Sequence, residues 1–188
     1  MSKFTIRFIS SNQFKLSESE KILNPIGVTI IPINIKIEEI QTEDTQTLLK
    51  DKALKAFRKV GHPLFVEHTG LYINHLNGLP GGLTQIFWDK LEADRFSAIF
   101  GNMSDNSVSA KTIIGYIDGK KFHSFEGEIS GKISDTPRGD KSFQWDCAFI
   151  PESETRTFSE MGEEKNKISM RKLALDKFAN YLNSQGIA

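Results

Sequence analysis

Phe65 to Gly82 reads F-V-E-H-T-G-L-Y-I-N-H-L-N-G-L-P-G-G, and the parsing of this stretch sets the fold. Leu64 to Val66 has the apolar character of a buried strand, and Glu67, His68 and Thr69 stand at its expected carboxyl end, after which Gly70 lets the chain turn. Acidic and imidazole side chains at a strand's carboxyl end are where open α/β sheets carry ligands. A second loop, Asn77-Gly78-Leu79-Pro80-Gly81-Gly82, precedes a helical pattern, and its glycines could bring bare backbone N–H groups against a phosphate. A strand followed by two ordinary turns would read the same way.

Working outward toward the N-terminus, Phe4 to Ile9 alternates like a strand and runs into Ser10-Ser11-Asn12-Gln13-Phe14-Lys15, where Lys15 opens a helix that stops before Pro25. A strand, small polar residues and a lysine at a helix start can meet an anion, although a solvated helix cap looks identical. Val28 to Ile33 is a second strand, followed by an acidic connection, Glu38 to Asp44. Leu49, Ala53, Ala56, Phe57 and Val60 then mark the apolar stripe of a helix whose other face carries Lys50, Asp51, Lys52, Lys55 and Arg58.

Toward the C-terminus, Leu83 to Leu91 and Ala93 to Phe100 read as two short helices. Thr112 to Ile117, the turn Asp118-Gly119 and Lys120 to Ile129 make a hairpin, with Gly127 and Gly131 expected at a bulge or bend. Arg138 lies in a Pro/Gly loop before Phe143 to Pro151. That set could clamp a phosphate and sandwich a flat base, or could equally be an edge strand with Trp145 in the core. Ile168, Leu175, Phe178 and Leu182 line a terminal helix with Ser169, Met170 and Arg171 in its first turn. A cation at a helix start is misplaced for the dipole unless an anion sits beside it.

Composition narrows the class. The 188 residues suit a single domain, 1–188, and 24 basic residues balance 24 acidic ones, which disfavours a nucleic acid duplex or an anionic membrane as partner. A lone cysteine, Cys147, excludes an internal disulfide and fits a reducing compartment, and no apolar run approaches a membrane span. A cytoplasmic protein is expected.

Four of these segments together resemble the inosine triphosphate pyrophosphatase family. Ser10 to Lys15 is similar to its T-G-N-x-x-K, and Val66 to Gly81 to its (D/E)-D-S/T-G-L followed by N/G-G-x-P-G. Pro137 to Pro151 is similar to P-R-G followed by F-G-(Y/W)-D-P-x-F, and Lys165 to Arg171 to K-N-x-x-S-H-R. The resemblance implies an α/β fold in which a long twisted mixed sheet forms two lobes around a central nucleotide-binding cleft, usually as a homodimer. It implies Mg²⁺-dependent cleavage of ITP, dITP or XTP between the α and β phosphates. Carried over by position, Asn12 and Lys15 resemble triphosphate contacts, Lys52 another cleft lysine and Glu39 the metal carboxylate, with Ser11, Thr69 and Gly70 at further nucleotide-binding positions. Phe143, Trp145 and Asp146 resemble the base wall, and Lys165, Ser169 and Arg171 the set that recognises the 6-oxo purine and phosphate, with Gln144 and Met170 at nucleotide-binding positions within the same motifs.

The chain departs from the pattern at decisive places. The family's aspartate is His68, beside Glu67, so the catalytic pair is degenerate; the histidine of S-H-R is Met170; a glycine and a proline are Gln144 and Cys147; a basic residue is Gln85. Ser11 and Gln144 stand where glycines would let backbone approach a ligand. An imidazole is a poor Mg²⁺ ligand, and losing a general base costs on the order of a hundred- to ten-thousandfold in rate. An imidazole with its unperturbed pKa of ~6.5 could instead serve as a replacement base. The expectation is a protein that binds a deaminated purine nucleoside triphosphate with impaired hydrolysis, a sensor signalling to an effector protein partner, with antiphage defence as one setting. The alternative is an active Mg²⁺-dependent pyrophosphatase.

Overall fold

The computed structural model describes residues 4–187. Its spine is a six-stranded mixed sheet: β1 (Phe4–Ile9), β2 (Val28–Ile33), β3 (Leu64–Ile73), β4 (Ser107–Ile117), β5 (Phe122–Ile133) and β6 (Phe149–Pro151). The spatial order is β2-β1-β3-β4-β5-β6. β1 pairs parallel with β2 and β3, whereas β3, β4, β5 and β6 pair antiparallel in turn. The helices are α1 (Gln13–Leu23), α2 (Thr45–Val60), α3 (Thr84–Phe100), α4 (Phe158–Met161) and α5 (Met170–Ser184).

Both faces of the central strands are covered, which is why Leu64, Phe65 and Val66 are apolar without alternation. Phe65, with Phe8 stacked on it at 4.2 Å, meets Leu175, Phe178 and Leu182 of α5. Leu64 and Val66 point to the opposite face, against Leu49, Ala53 and Ala56 of α2. A third cluster fills the far lobe, where Leu71 and Ile73 meet Phe96 and Phe100 of α3 and Trp145, Phe149 and Phe158.

Three expectations from the sequence are corrected here. β3 does not end at Thr69; it runs through Gly70 to Ile73, paired with β4 throughout. Gly70 is needed for approach rather than for a turn, since a Cβ there would lie 2.6 Å from the Gly81 carbonyl oxygen. Gly127 and Gly131 sit in regular register opposite Thr112 and Val108, with no bulge; a Cβ on Gly127 would collide with the Met170 carbonyl of α5, and one on Gly131 with that of Ile150. The two helices expected between Leu83 and Phe100 are found, joined end to end at Glu92, whose φ of 56° breaks the helix. No helix among the described residues is long and apolar enough to cross a membrane.

Candidate active site

The alternation of β3 places consecutive side chains on opposite faces. Glu67 therefore shares the α1/α5 side with Phe65, while His68 shares the α2 side with Val66. Glu67 is 3 % exposed and anchors an alternating chain of charges. Its carboxylate accepts from Arg171 Nε at 3.0 and 3.1 Å, from Lys15 Nζ at 3.0 Å and from the Thr69 hydroxyl at 3.0 Å. Arg171 reaches in turn to Glu18 of α1 at 2.7 Å, and Lys165 lies 3.9 Å from Glu18 and bonds Asp146. Burial works against the Glu67 charge, but Arg171 and Lys15 overcome it and hold the carboxyl well below the usual range. Burial likewise lowers the guanidinium of Arg171, and Glu67 and Glu18 reverse that, leaving it above its ordinary value. Lys15 is pulled down, chiefly by burial, and burial pushes Asp146 up despite Lys165.

Two cavities flank this chain of charges. One, of about 400 Å³, is lined by Ser10, Ser11, Asn12, Lys15, Glu39, Lys52, Glu67, Gln85 and Gln144 among others. The start of α1 opens on it, where the Asn12 side-chain oxygen accepts from Lys15 N at 3.1 Å and so caps the helix. Glu39 is the carboxylate most open to this cavity. It pairs with Lys52 at 2.8 Å and lies 3.6 Å from His68 Nδ1. Burial raises its pKa, but the bond from His68 and the charge of Lys52 prevail and bring it to about 2. The second cavity, of about 260 Å³, lies beyond Phe143 and is bounded by α1 and by Asp146, Glu163 and Lys165. The Lys165 ammonium sits 4.3 Å from the Phe143 ring centre, with the Arg171 guanidinium 6.0 Å away.

Most residues expected in the cleft are brought together: Ser11, Asn12, Lys15, Lys52, Glu39, Glu67 and Gln144 around one cavity, Phe143, Asp146 and Lys165 around the other. Several others do not touch it. Trp145 is 3 % exposed and packs edge-on to Phe149 in the far-lobe core, so it is not part of a base wall. Met170 lies in the same core, and Ser169 is buried as the N-cap of α5, accepting from Lys172 N. Both stand at the start of α5, immediately before Arg171, and neither lines these two cavities. Thr69 orients Glu67 and bonds Thr112, and Gly70 admits Gly81. His68 does not line either cavity, and its Nε2 is buried with no hydrogen-bond partner among the described residues.

Three looser expectations also fail. The Gly78–Gly82 loop spends most of its donors internally rather than on a phosphate: Gly82 N donates to Glu43 O, Gly78 N to Ile73 O, Leu79 N to Leu76 O and Leu83 N to Pro80 O. Arg138 is turned away, donating to Thr155 O and pairing with Glu160. The anion inferred beside Arg171 is supplied internally by Glu67 and Glu18. Glu18 itself escaped notice as a site residue, although it lies one turn from Lys15 on α1, the signal that would have found it. Gln85 bonds Gln144 across the cavity mouth, and Gln144 adopts a φ of 44°, the left-handed region that suits the glycine it replaces.

Comparison with known proteins agrees with this architecture. The chain is 34 % identical over 178 residues to the dITP/XTP pyrophosphatase of Thermococcus kodakarensis, covering 94 % of this chain and 96 % of the relative. It is 33 % identical over 195 residues to the inosine triphosphate pyrophosphatase of Kluyveromyces lactis, covering all of both. The structure of a HAM1 protein from Coxiella burnetii superposes with a TM-score of 0.82 at 27 % identity, over 96 % of this chain and 99 % of that one. With residues 6–181 matching the model of the Ham1 family, the chain belongs to that family.

Proposed function

We propose that this protein binds dITP, ITP or XTP across the two cavities and cleaves the triphosphate between its α and β phosphates, releasing the monophosphate and pyrophosphate. The observation that carries the reading is the 400 Å³ cavity in which Lys15, Lys52 and the start of α1 meet one accessible carboxylate, Glu39, beside an aromatic and cationic recess formed by Phe143 and Lys165. Two ammonium groups and a helix start suit a polyphosphate. A donor aimed at O6 pairs with a 6-oxo purine, whereas the N6 amino group of adenine would leave it unpaired. The relatives' activities favour this working pyrophosphatase over the impaired one that His68 led us to expect.

No group of three His, Cys, Asp or Glu among the described residues could hold a metal alone. The residues do fit a magnesium ion carried in on the phosphates, because Mg²⁺ takes one or two carboxylates and leaves its remaining positions to phosphate oxygens and water. Glu39, ionised at any physiological pH, would hold it, and the bound ion would offset charge on the departing pyrophosphate. Lys15 and Lys52 hold and orient the phosphates. A carboxyl with a pKa near 2 is a weak base, so Glu39 is better suited to orienting water than to taking its proton. The reading includes a homodimer, to be tested by sedimentation.

His68 supports a second reading. With its Nε2 buried and Glu39 the one carboxylate of the cavity within reach of its ring, turnover would be slow and the protein would hold its nucleotide longer than it cleaves it, as an occupancy sensor requires. Neither the relatives nor the cleft points to an effector partner or a defence role. Pyrophosphate release from dITP, ITP, XTP and dATP with Mg²⁺, measured beside binding, separates the readings. Release from the first three and not from dATP supports the enzyme. Tight binding with no release supports the sensor, and absence of binding ends both.

A further inference from the structure

We infer that Phe14, at the start of α1, is an aromatic platform that stacks with the purine ring of the bound triphosphate and makes affinity depend on the base. The inference rests on the nucleotide reading above and adds to it a residue outside the four recognition motifs' defining positions.

Phe14 is 56 % exposed, more than any other large hydrophobic side chain among the described residues. It is not stranded on open surface: it lines the 260 Å³ cavity, and its ring lies 4.9 Å from that of Phe143, tilted by 52°. The helix explains how it gets there. Phe14, Ser17, Glu18 and Lys21 all line this cavity and follow i, i+3, i+4, i+7, one face of α1. The rest of that face is polar, so an apolar ring there contributes nothing to the core. Asn12 and Lys15 line the other, phosphate-sized cavity. One helix start thus offers cationic and polar groups to one cavity and an aromatic ring to its neighbour, as a ligand with a charged tail and a flat head requires. Covering Phe14 with a purine removes its apolar surface from water and gives an aromatic contact of the kind that holds bases on protein rings.

Lys165, over the Phe143 ring, leaves that ring partly engaged by a cation, so Phe14 is the ring with free surface. A base settling in this recess would then meet Phe14 and Phe143 on its apolar side and Lys165 and Asp146 at its polar edge.

The test is calorimetric titration of the wild type, Phe14→Ala and Phe14→Trp with the α,β-methylene analogue of dITP, which cannot be cleaved at the scissile position, and with inorganic tripolyphosphate, which has no base. Phe14→Ala is expected to weaken the nucleotide analogue about 5- to 150-fold, the range for one base stacked on one aromatic side chain, while tripolyphosphate changes less than about twofold. Phe14→Trp should keep the nucleotide affinity. Equal weakening of both ligands by Phe14→Ala, or no weakening of either, overturns the platform and leaves the nucleotide reading standing. A wild-type protein that binds tripolyphosphate but not the nucleotide analogue overturns both.

Discussion

Replacing Glu67 with glutamine tests the charge network at its centre. The carboxylate is buried and accepts from Arg171, Lys15 and Thr69. Glutamine keeps the volume but removes the charge and turns an NH₂ donor toward groups that are themselves donors. Removing one partner of a buried ion pair costs about 3 to 5 kcal/mol. The lower end applies because Arg171 keeps Glu18 at 2.7 Å and Lys15 is 21 % exposed, so neither cation is wholly abandoned. A loss of about 3 kcal/mol should move the urea midpoint down by about 1 to 1.5 M at unchanged slope. It should lower the melting temperature by about 6 to 12 °C for a chain of this size. Combining Glu67→Gln with Lys15→Met removes one of the cations left behind, so the double variant should be less destabilised than the two single losses added, by about 1 kcal/mol. A Glu67→Gln protein within about 0.5 kcal/mol of wild type, the size of an ordinary surface change, would refute the network.

His68→Asp places a second carboxylate beside Glu39. Pyrophosphate release from dITP at saturating Mg²⁺ is expected to rise at least about tenfold, toward the contribution of a positioned base; a fall would mean that His68 supports the reaction as it stands. Gly127→Ala should destabilise by about 3 kcal/mol, the upper range for overpacking, because its methyl would strike the Met170 carbonyl. The same strain displaces α5 and with it Arg171, so nucleotide affinity should drop as well; a circular-dichroism melt unchanged from wild type would contradict the packing. Acid sensitivity follows from depressed carboxyls. Glu39 and Glu67 titrate below their unfolded value of 4.5, so their stabilisation is complete above that pH and is lost as pH falls toward the folded value, about 2 for Glu39. Stability measured from pH 7 down should be level to about pH 5 and then fall, and Glu67→Gln should fall less steeply.

The parts of the fold that could be read from the sequence are those whose cause is local. α2 is marked by its 3.6-residue stripe, and Leu49, Ala53 and Ala56 are indeed its buried face. The β4–β5 hairpin follows from alternation around Asp118-Gly119. The misreadings share a different origin. A glycine that relieves a turn and a glycine that admits a distant carbonyl look the same in one dimension, and Gly70, which invites a turn, instead continues β3 and admits the Gly81 carbonyl. Trp145 stands between Phe143 and Asp146, which do line the cleft, and only the packing of Phe149 against it reveals that its ring faces the other way.

The same limit governs the catalytic pair. Side by side in the sequence, Glu67 and His68 invite treatment as one unit, and the loss of an aspartate at position 68 seems to compromise both. The pleat of β3 separates them. Glu67 belongs with Lys15 and with Arg171, 104 residues away in the chain, whereas His68 faces Glu39 on the α2 side. Whatever residue occupies position 68 bears on Glu39, the carboxylate that would meet metal and water, and leaves Lys15 and Arg171 paired with Glu67. Glu67 and His68 therefore feed two charge clusters on opposite faces of one strand. Substitutions at 68 should change turnover with little change in the affinity for tripolyphosphate, while substitutions at 67 should change affinity and stability together.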